Sequence, residues 1–121
     1  MRFVCLIYFD PKTAFDGSPK SNAILDQAGP HAQELRAGGQ MLASEALVLP
    51  NAAVTVRVRG DKVSTTDGPF AETKEVLGGF VLIEAADIDE AVQMAAANPM
   101  AELGCVEVRP VVDFSKPRPV V

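Results

Sequence analysis

The sequence contains no tryptophan, one tyrosine and one histidine, and its basic side chains are fewer than its acidic ones. Eleven lysines and arginines against sixteen acids give a formal net charge of −5, so no excess of positive charge attracts nucleic-acid phosphates or an anionic membrane. The opening apolar run, residues 1–9, is far shorter than the roughly 20 residues of a membrane-spanning helix. We therefore expect neither nucleic acid nor a membrane as a partner.

Cysteine is also scarce, because Cys5 and Cys105 are the two in the chain. Neither belongs to a Cys-x-x-Cys pair or stands near the histidine, and no phosphate loop or serine-nucleophile signature is present. We expect no metal and no cofactor. Both cysteines lie in apolar strand-like runs and no cleavable leader follows the first run, which predicts buried, reduced thiols in a cytoplasmic protein. A disulfide stays open as an alternative if the two strands pair.

The 121 residues, 48% of them apolar, suffice for one packed domain over residues 1–121. The run 2–9 and the run "GGFVLIEA" are apolar on both faces, which predicts central strands covered on each side. Residues 54–59 alternate apolar and polar side chains, and the Gly-Asp pair after them suits a hairpin turn. The run "CVEVRPVV" predicts a last strand, with a proline-rich surface tail over 110–121.

Two helices are predicted between these strands. Over residues 22–36 apolar side chains recur at spacings of three and four, and His31 falls on the same side of that helix. Pro30 has no amide hydrogen and clashes inside a helix, so we expect a break there that places His31 in a helix first turn. Asp87 starts a capping-box pattern for the other helix, which ends at Asn98 before a proline.

The resulting order is strand, helix, strand, inserted hairpin, strand, helix, strand. This is an α+β fold, the split βαβ arrangement of ferredoxin-like proteins with an inserted β-hairpin. Its helices cover one sheet face, so two strands that are apolar on both faces need another partner, and a second copy of the chain is the simplest one. We therefore predict a homodimer with facing sheets, which is a dimeric α+β barrel.

The segment "DGPFAETKE", Asp67 to Glu75, is followed by "GGF" and closely resembles the DGPF-motif branch of the YCII-related family. The likeness continues through "TVRVRGDKV" and "VEVRP". The resemblance implies the same dimeric barrel and an enzyme-like fold with a helix histidine and a late aspartate before a proline. It also implies a glutamate in a Gly-Glu-Gly-Leu run. His31 matches the histidine and Glu45 the glutamate, whereas Asn98 stands where the resemblance implies the aspartate.

The motif and the histidine supply the candidate site. His31 is the candidate general base, because imidazole exchanges a proton near neutral pH, and a hydrogen-bonded core histidine is the alternative. Asp67 is the second candidate catalytic residue, and we expect it to share one cavity with His31. The candidate ligand-binding residues are Glu45, Arg57, Phe70, Lys74 and Glu75. Turn chemistry explains the Asp-Gly-Pro part of the motif, so its other side chains form either a pocket rim or an internally salt-bridged turn.

Two functions fit these residues. One is a lyase- or isomerase-like enzyme acting on a small organic molecule, with His31 moving a proton and Arg57 as an anion anchor unless it is merely solvated or ion-paired. The other is a non-catalytic ligand-binding or regulatory protein, since the resemblance also implies accessory factors of extracytoplasmic-function sigma factors. Asn98 favours binding or weak catalysis, because an amide does not stabilise an imidazolium as a carboxylate does.

Overall fold

The computed structural model describes all 121 residues and contains six strands and three α-helices. In chain order they are β1 (Arg2–Phe9), α1 (Pro11–Ala14), α2 (Pro19–Ala37), β2 (Met41–Ala46), β3 (Val54–Arg59), β4 (Lys62–Asp67), β5 (Val76–Glu84), α3 (Ile88–Ala96) and β6 (Gly104–Pro110). Four strands form an antiparallel sheet in the order β2, β5, β1, β6, while β3 pairs with β4 alone. The predicted ferredoxin-like α+β fold with an inserted hairpin is confirmed.

The core lies between the sheet and the helices. Cross-strand partners share a face, so Phe3 with Ile83 and Cys5 with Val81 point the same way from β1 and β5. Phe3 and Ile83 are each only 1% exposed, and alanines of α3 and residues of α2 pack on them. The predicted burial of these two central strands on their helical face follows from this packing.

The opposite face of the sheet carries apolar side chains without a helix above them. The apolar residues of this face on β1 and β5 include Val4, Leu6, Tyr8, Phe80 and Leu82. All five are half-buried in the single chain. The two strands therefore have apolar side chains on both faces, as the sequence predicts, and no helix covers one of these faces.

The hairpin of β3 and β4 is a two-stranded sheet separate from the main one. Its turn lies at Gly60, whose φ of 61° is the left-handed conformation that glycine adopts without strain. Gly68 donates its amide hydrogen to the carbonyl of Ala53 at 2.7 Å, and the Thr55 hydroxyl donates to the Gly68 carbonyl at 2.9 Å. These bonds fix the position of Gly68, the second residue of the segment "DGPFAETKE", directly after β4 ends at Asp67.

The break expected at Pro30 is wrong, because α2 continues through it from Pro19 to Ala37. The helix begins at Pro19, three residues before its predicted start, and Ser18 caps it by accepting the Ser21 amide hydrogen at 3.2 Å. Pro30 and Asp26, whose carbonyl loses its helical donor, are both exposed, so water can replace the missing bond. His31 therefore lies well inside a helix and not in a first turn.

The cysteines are both free, but they differ in burial. Strands β1 and β6 do pair, yet Cys5 lies opposite Val108 and Cys105 opposite Tyr8, which puts the two thiols on opposite sheet faces. This geometry rules out a disulfide within the chain. Cys5 is buried as predicted, whereas the prediction for Cys105 is wrong: it lies on the uncovered face of an edge strand and is exposed.

The chain ends in an exposed segment. Val111 still donates its amide hydrogen to the Arg2 carbonyl at 3.0 Å, and every residue from 112 to 121 is exposed. No helix in the structure combines the length and the apolar character that crossing a membrane requires.

Candidate ligand-binding cavity

A cavity of about 280 Å³ lies between α2 and the helical face of the sheet. Its lining is mostly apolar, and the large side chains among its residues are Ile7, Phe9, Phe15, Leu25, Leu35, Met41 and Met100. Ligand pockets commonly measure about 300–1,000 Å³. The cavity is therefore of a size for a compact organic molecule rather than a nucleotide or a peptide.

A β-bulge in β5 shapes one wall of this cavity. The register of β1 and β5 slips after Ile7, leaving Gly78 as an extra residue between Leu77 and Gly79. A Cβ atom at Gly78 would overlap the ring of Phe9, so only glycine lets that ring lie against the strand. The Phe9 ring in turn meets Phe15 edge-on, with 5.5 Å between ring centroids.

His31 reaches the cavity from the middle of α2. Its Nε2 atom is buried and has no hydrogen-bond partner within the chain. Most buried polar atoms in proteins do have a partner, so this unpaired nitrogen is an exception. The alternative of a hydrogen-bonded core histidine does not describe His31.

Asn98 lies at the same cavity, between α3 and a short 3₁₀ turn over Pro99–Glu102. Its side chain is 8% exposed, and its Oδ1 accepts the amide hydrogen of Met100 at 3.0 Å. That bond caps the turn, as asparagine commonly does. The two positions singled out from the resemblance, His31 and Asn98, thus meet at one cavity.

Strand β2 contributes Ser44 and Glu45 to the boundary of the cavity. Ser44 pairs with Val81, a core residue, and therefore points toward the helices. Glu45 pairs with Phe80 and shares the uncovered face with it. Its backbone borders the cavity, while the pairing directs its carboxylate away.

The conspicuous segment "DGPFAETKE" borders a different, larger groove of about 990 Å³. Phe70, Glu72 and Glu75 line this groove together with residues 47–53, and the Phe70 side chain is 82% exposed. The alternative of an internally salt-bridged turn is not observed, because the ion pairs of the chain join the terminal amine to Glu84, and Glu107 to Arg109.

The remaining candidate residues lie outside the cavity of His31. Asp67 and Arg57 lie on the exposed hairpin and line neither the cavity nor the groove. Lys74 is exposed on the segment that follows. Within one chain, therefore, the structure separates Asp67 from His31, contrary to the expectation of one shared cavity. No group of three or more histidine, cysteine, aspartate or glutamate side chains lies close enough to hold a metal ion.

Glu75 contacts the exposed cysteine. The Cys105 thiol donates to Glu75 Oε2 at 3.6 Å across the end of the sheet. Local desolvation raises the pKa of Cys105, and the hydrogen bond to Glu75 and the negative charges of Glu75 and Glu107 raise it further. The thiol is therefore held in its protonated, less nucleophilic form.

A split βαβ sheet with a cavity beneath its long helix defines a small α+β protein of ferredoxin-like fold. Among solved structures the chain is similar to 5-chloro-2-hydroxyhydroquinone dehydrochlorinase (TftG) from Burkholderia phenoliruptrix, in complex with 2,5-dihydroxybenzoquinone. The TM-score is 0.50 and the identity 16%, over 93% of this chain and 94% of that one. At that identity the likeness concerns the fold alone.

The YCII-related domain matches residues 1–115, and the chain belongs to the YCII-related family. It is also 46% identical over 67 residues to an uncharacterized protein of Rhizobium meliloti (strain 1021). That alignment covers 54% of this chain and 54% of the relative, so the chain spans about half the length of the curated relative it matches.

Proposed function

We propose that this protein binds a compact, largely apolar organic molecule in the cavity beneath α2, with His31 contacting the polar atom of that ligand. The observation that carries the proposal is the buried Nε2 atom of His31, which has no partner in the chain. Leaving a buried polar atom unpaired costs about 1–3 kcal/mol. A ligand atom that pairs with Nε2 removes that cost, so the cavity favours occupancy.

The enzyme form of this proposal is a lyase- or isomerase-like proton transfer with His31 as general base. Imidazole takes up and releases a proton near neutral pH, which suits such chemistry. The bound 2,5-dihydroxybenzoquinone of the dehydrochlorinase with a similar fold supports a compact ring as the ligand. Asp67, Arg57, Phe70, Lys74 and Glu75 would serve such a site only through the second groove or a partner chain, since they lie away from the cavity.

The alternative is a non-catalytic ligand-binding or regulatory protein, associated with an extracytoplasmic-function sigma factor in the cytoplasm. Asn98 favours it, because its oxygen is committed to Met100 and no carboxylate hydrogen-bonds His31. Without such a carboxylate the imidazolium formed by proton abstraction lacks a stabilising charge. We assign the chain to the DGPF-motif branch on the segment "DGPFAETKE", and we propose a homodimer built on the uncovered sheet face.

The test is a thermal-shift screen of compact phenols, quinones and aromatic carboxylates. It compares the wild type with His31→Asn and with Gln33→Ala, an exposed position on the same helix. A ligand raises Tm in proportion to its binding to the native state, so the shift should persist in Gln33→Ala and disappear in His31→Asn. A ligand that stabilises all three proteins equally would contradict the role of His31.

A second step separates the two functions. Each binding compound is incubated with the protein and its chemical form is followed by NMR. Conversion that His31→Asn abolishes supports the enzyme, whereas unchanged ligand in the presence of the wild type supports the binding protein.

A further inference from the structure

Asn98 lines the cavity with a side-chain group that can only donate a hydrogen bond. A backbone amide can only donate, so the atom that faces the Met100 amide at 3.0 Å must be the Asn98 oxygen and not its nitrogen. The backbone groups of Asn98 are also engaged, with Ala95 and Ala101. The amide nitrogen, Nδ2, makes no hydrogen bond in the structure and is a donor only.

No other side chain at the cavity is restricted to accepting hydrogen bonds. His31 Nε2 and the Ser44 hydroxyl can each donate or accept, according to the ligand they meet. Glu45 is the acidic residue at the cavity boundary, and its pairing with Phe80 directs the carboxylate to the other sheet face. Among the side chains of the cavity, the one whose hydrogen-bonding character is fixed is therefore a donor.

We infer that Asn98 is a specificity-determining residue, which makes the cavity select ligands with an acceptor oxygen such as a carboxylate, phenolate or ring carbonyl. Ligands that carry only donors are rejected, because a second donor facing Nδ2 leaves both groups unpaired in a site that is more than nine-tenths buried at Asn98. The inference rests on the proposed function and names the ligand chemistry of the same cavity.

Two matched probes distinguish acceptor from donor. Benzoate and benzamidine are planar single rings of nearly the same size, and the first carries only acceptors while the second carries only donors. Both fit the compact, apolar character of the cavity. Their dissociation constants are measured by NMR titration of the labelled wild type, where we expect benzoate to bind at least tenfold more tightly.

Two substitutions test whether Asn98 causes this preference. Asn98→Asp retains a side-chain oxygen that caps the turn and replaces Nδ2 by a second oxygen. It should weaken benzoate at least tenfold and reverse the preference in favour of benzamidine. Asn98→Ser also caps but is too short to donate at the same place, so it should weaken benzoate without favouring benzamidine; it decides the question if Asn98→Asp does not fold. Gln93→Glu, exposed on α3, adds the same charge elsewhere and should change neither affinity.

Three results would overturn the inference: equal affinity of the wild type for both probes, no binding of either, or a benzoate preference that both Asn98 variants keep. The thermal-shift screen with His31→Asn keeps the two proposals apart. If screened compounds bind through His31 while the two probes bind equally, the cavity stands and the role of Asn98 falls. If no compound binds at all, both proposals fall.

Discussion

His31 and Asn98 are 67 positions apart in the sequence and line the same cavity, and each is fixed by its own local structure. Helical spacing alone predicts that His31 lies on the apolar side of α2. The sequence does not predict which end of the Asn98 side-chain amide is free to bind a ligand. That orientation depends on a 3₁₀ turn that places the Met100 amide 3.0 Å from the Asn98 oxygen. Likewise, no local pattern shows that Glu45 points away from the cavity, since that follows from its pairing with Phe80.

Cys105 is exposed, yet we expect its thiol to be alkylated slowly. Its raised pKa means that less thiolate is present at a given pH, and the thiolate is the form that reacts. Replacing the hydrogen-bonding carboxylate in Glu75→Gln lowers that pKa, so alkylation by iodoacetamide at pH 8 should become several-fold faster. Mass spectrometry follows the modification, and buried Cys5 serves as the internal control because it should stay unmodified in both proteins. Equal rates at Cys105 in the two proteins would refute the coupling to Glu75.

At the scale of elements, the β-bulge in β5 and the length of α2 give the cavity its walls. The glycine pair before Phe80 predicts the start of a strand, but it does not show that Phe9 lies against the backbone there. That contact joins residues about 70 positions apart, so no local pattern reveals it. The helix break predicted at Pro30 is wrong for a related reason. The free-energy cost of a missing hydrogen bond depends on whether water reaches the carbonyl, which is a property of the folded surface.

Gly78→Ala tests the close contact with Phe9. The added methyl group must displace the Phe9 ring, so we expect the free energy of unfolding to fall by about 1–3 kcal/mol. Gly38→Ala is the control, because a Cβ there meets only the carbonyl oxygens of Glu34 and Leu35, at ordinary contact distances of 3.5 and 3.7 Å. Its φ of −75° suits alanine, so the substitution should stabilise by about 0.4–1 kcal/mol. Urea unfolding of both variants decides the matter, and a Gly78→Ala protein as stable as the wild type would show that the wall is loosely packed.

At the scale of the whole molecule, the sheet has a helical face and an uncovered apolar face. The order of elements and the two-faced apolar strands suffice to predict this fold, since ferredoxin-like topology follows from their succession. What the sequence could not predict is how the inserted hairpin sits relative to the cavity. Asp67 and Arg57 are carried outward on it, away from His31.

The uncovered face leads us to expect a dimer in solution, with twice the mass of one chain by light scattering at micromolar concentration. Leu6→Lys places a charge opposite Phe80 in the middle of that face and should yield a folded monomer, because burying an unpaired charge in an apolar interface is costly. Val92→Lys, an exposed position on α3, is the control and should remain dimeric. A wild type that stays monomeric at every concentration would contradict the facing-sheet arrangement.

His31 Nε2 is the atom that we propose contacts the ligand, so the NMR signal of this nitrogen reports that contact itself. Because His31 is the single histidine, the imidazole ¹⁵N resonances of the uniformly labelled protein belong to it alone. On titration with a compound that raises Tm, we expect the Nε2 resonance to shift in step with occupancy, while Nδ1 shifts less. Binding of such a compound that leaves both imidazole resonances where they are in the free protein would contradict the account.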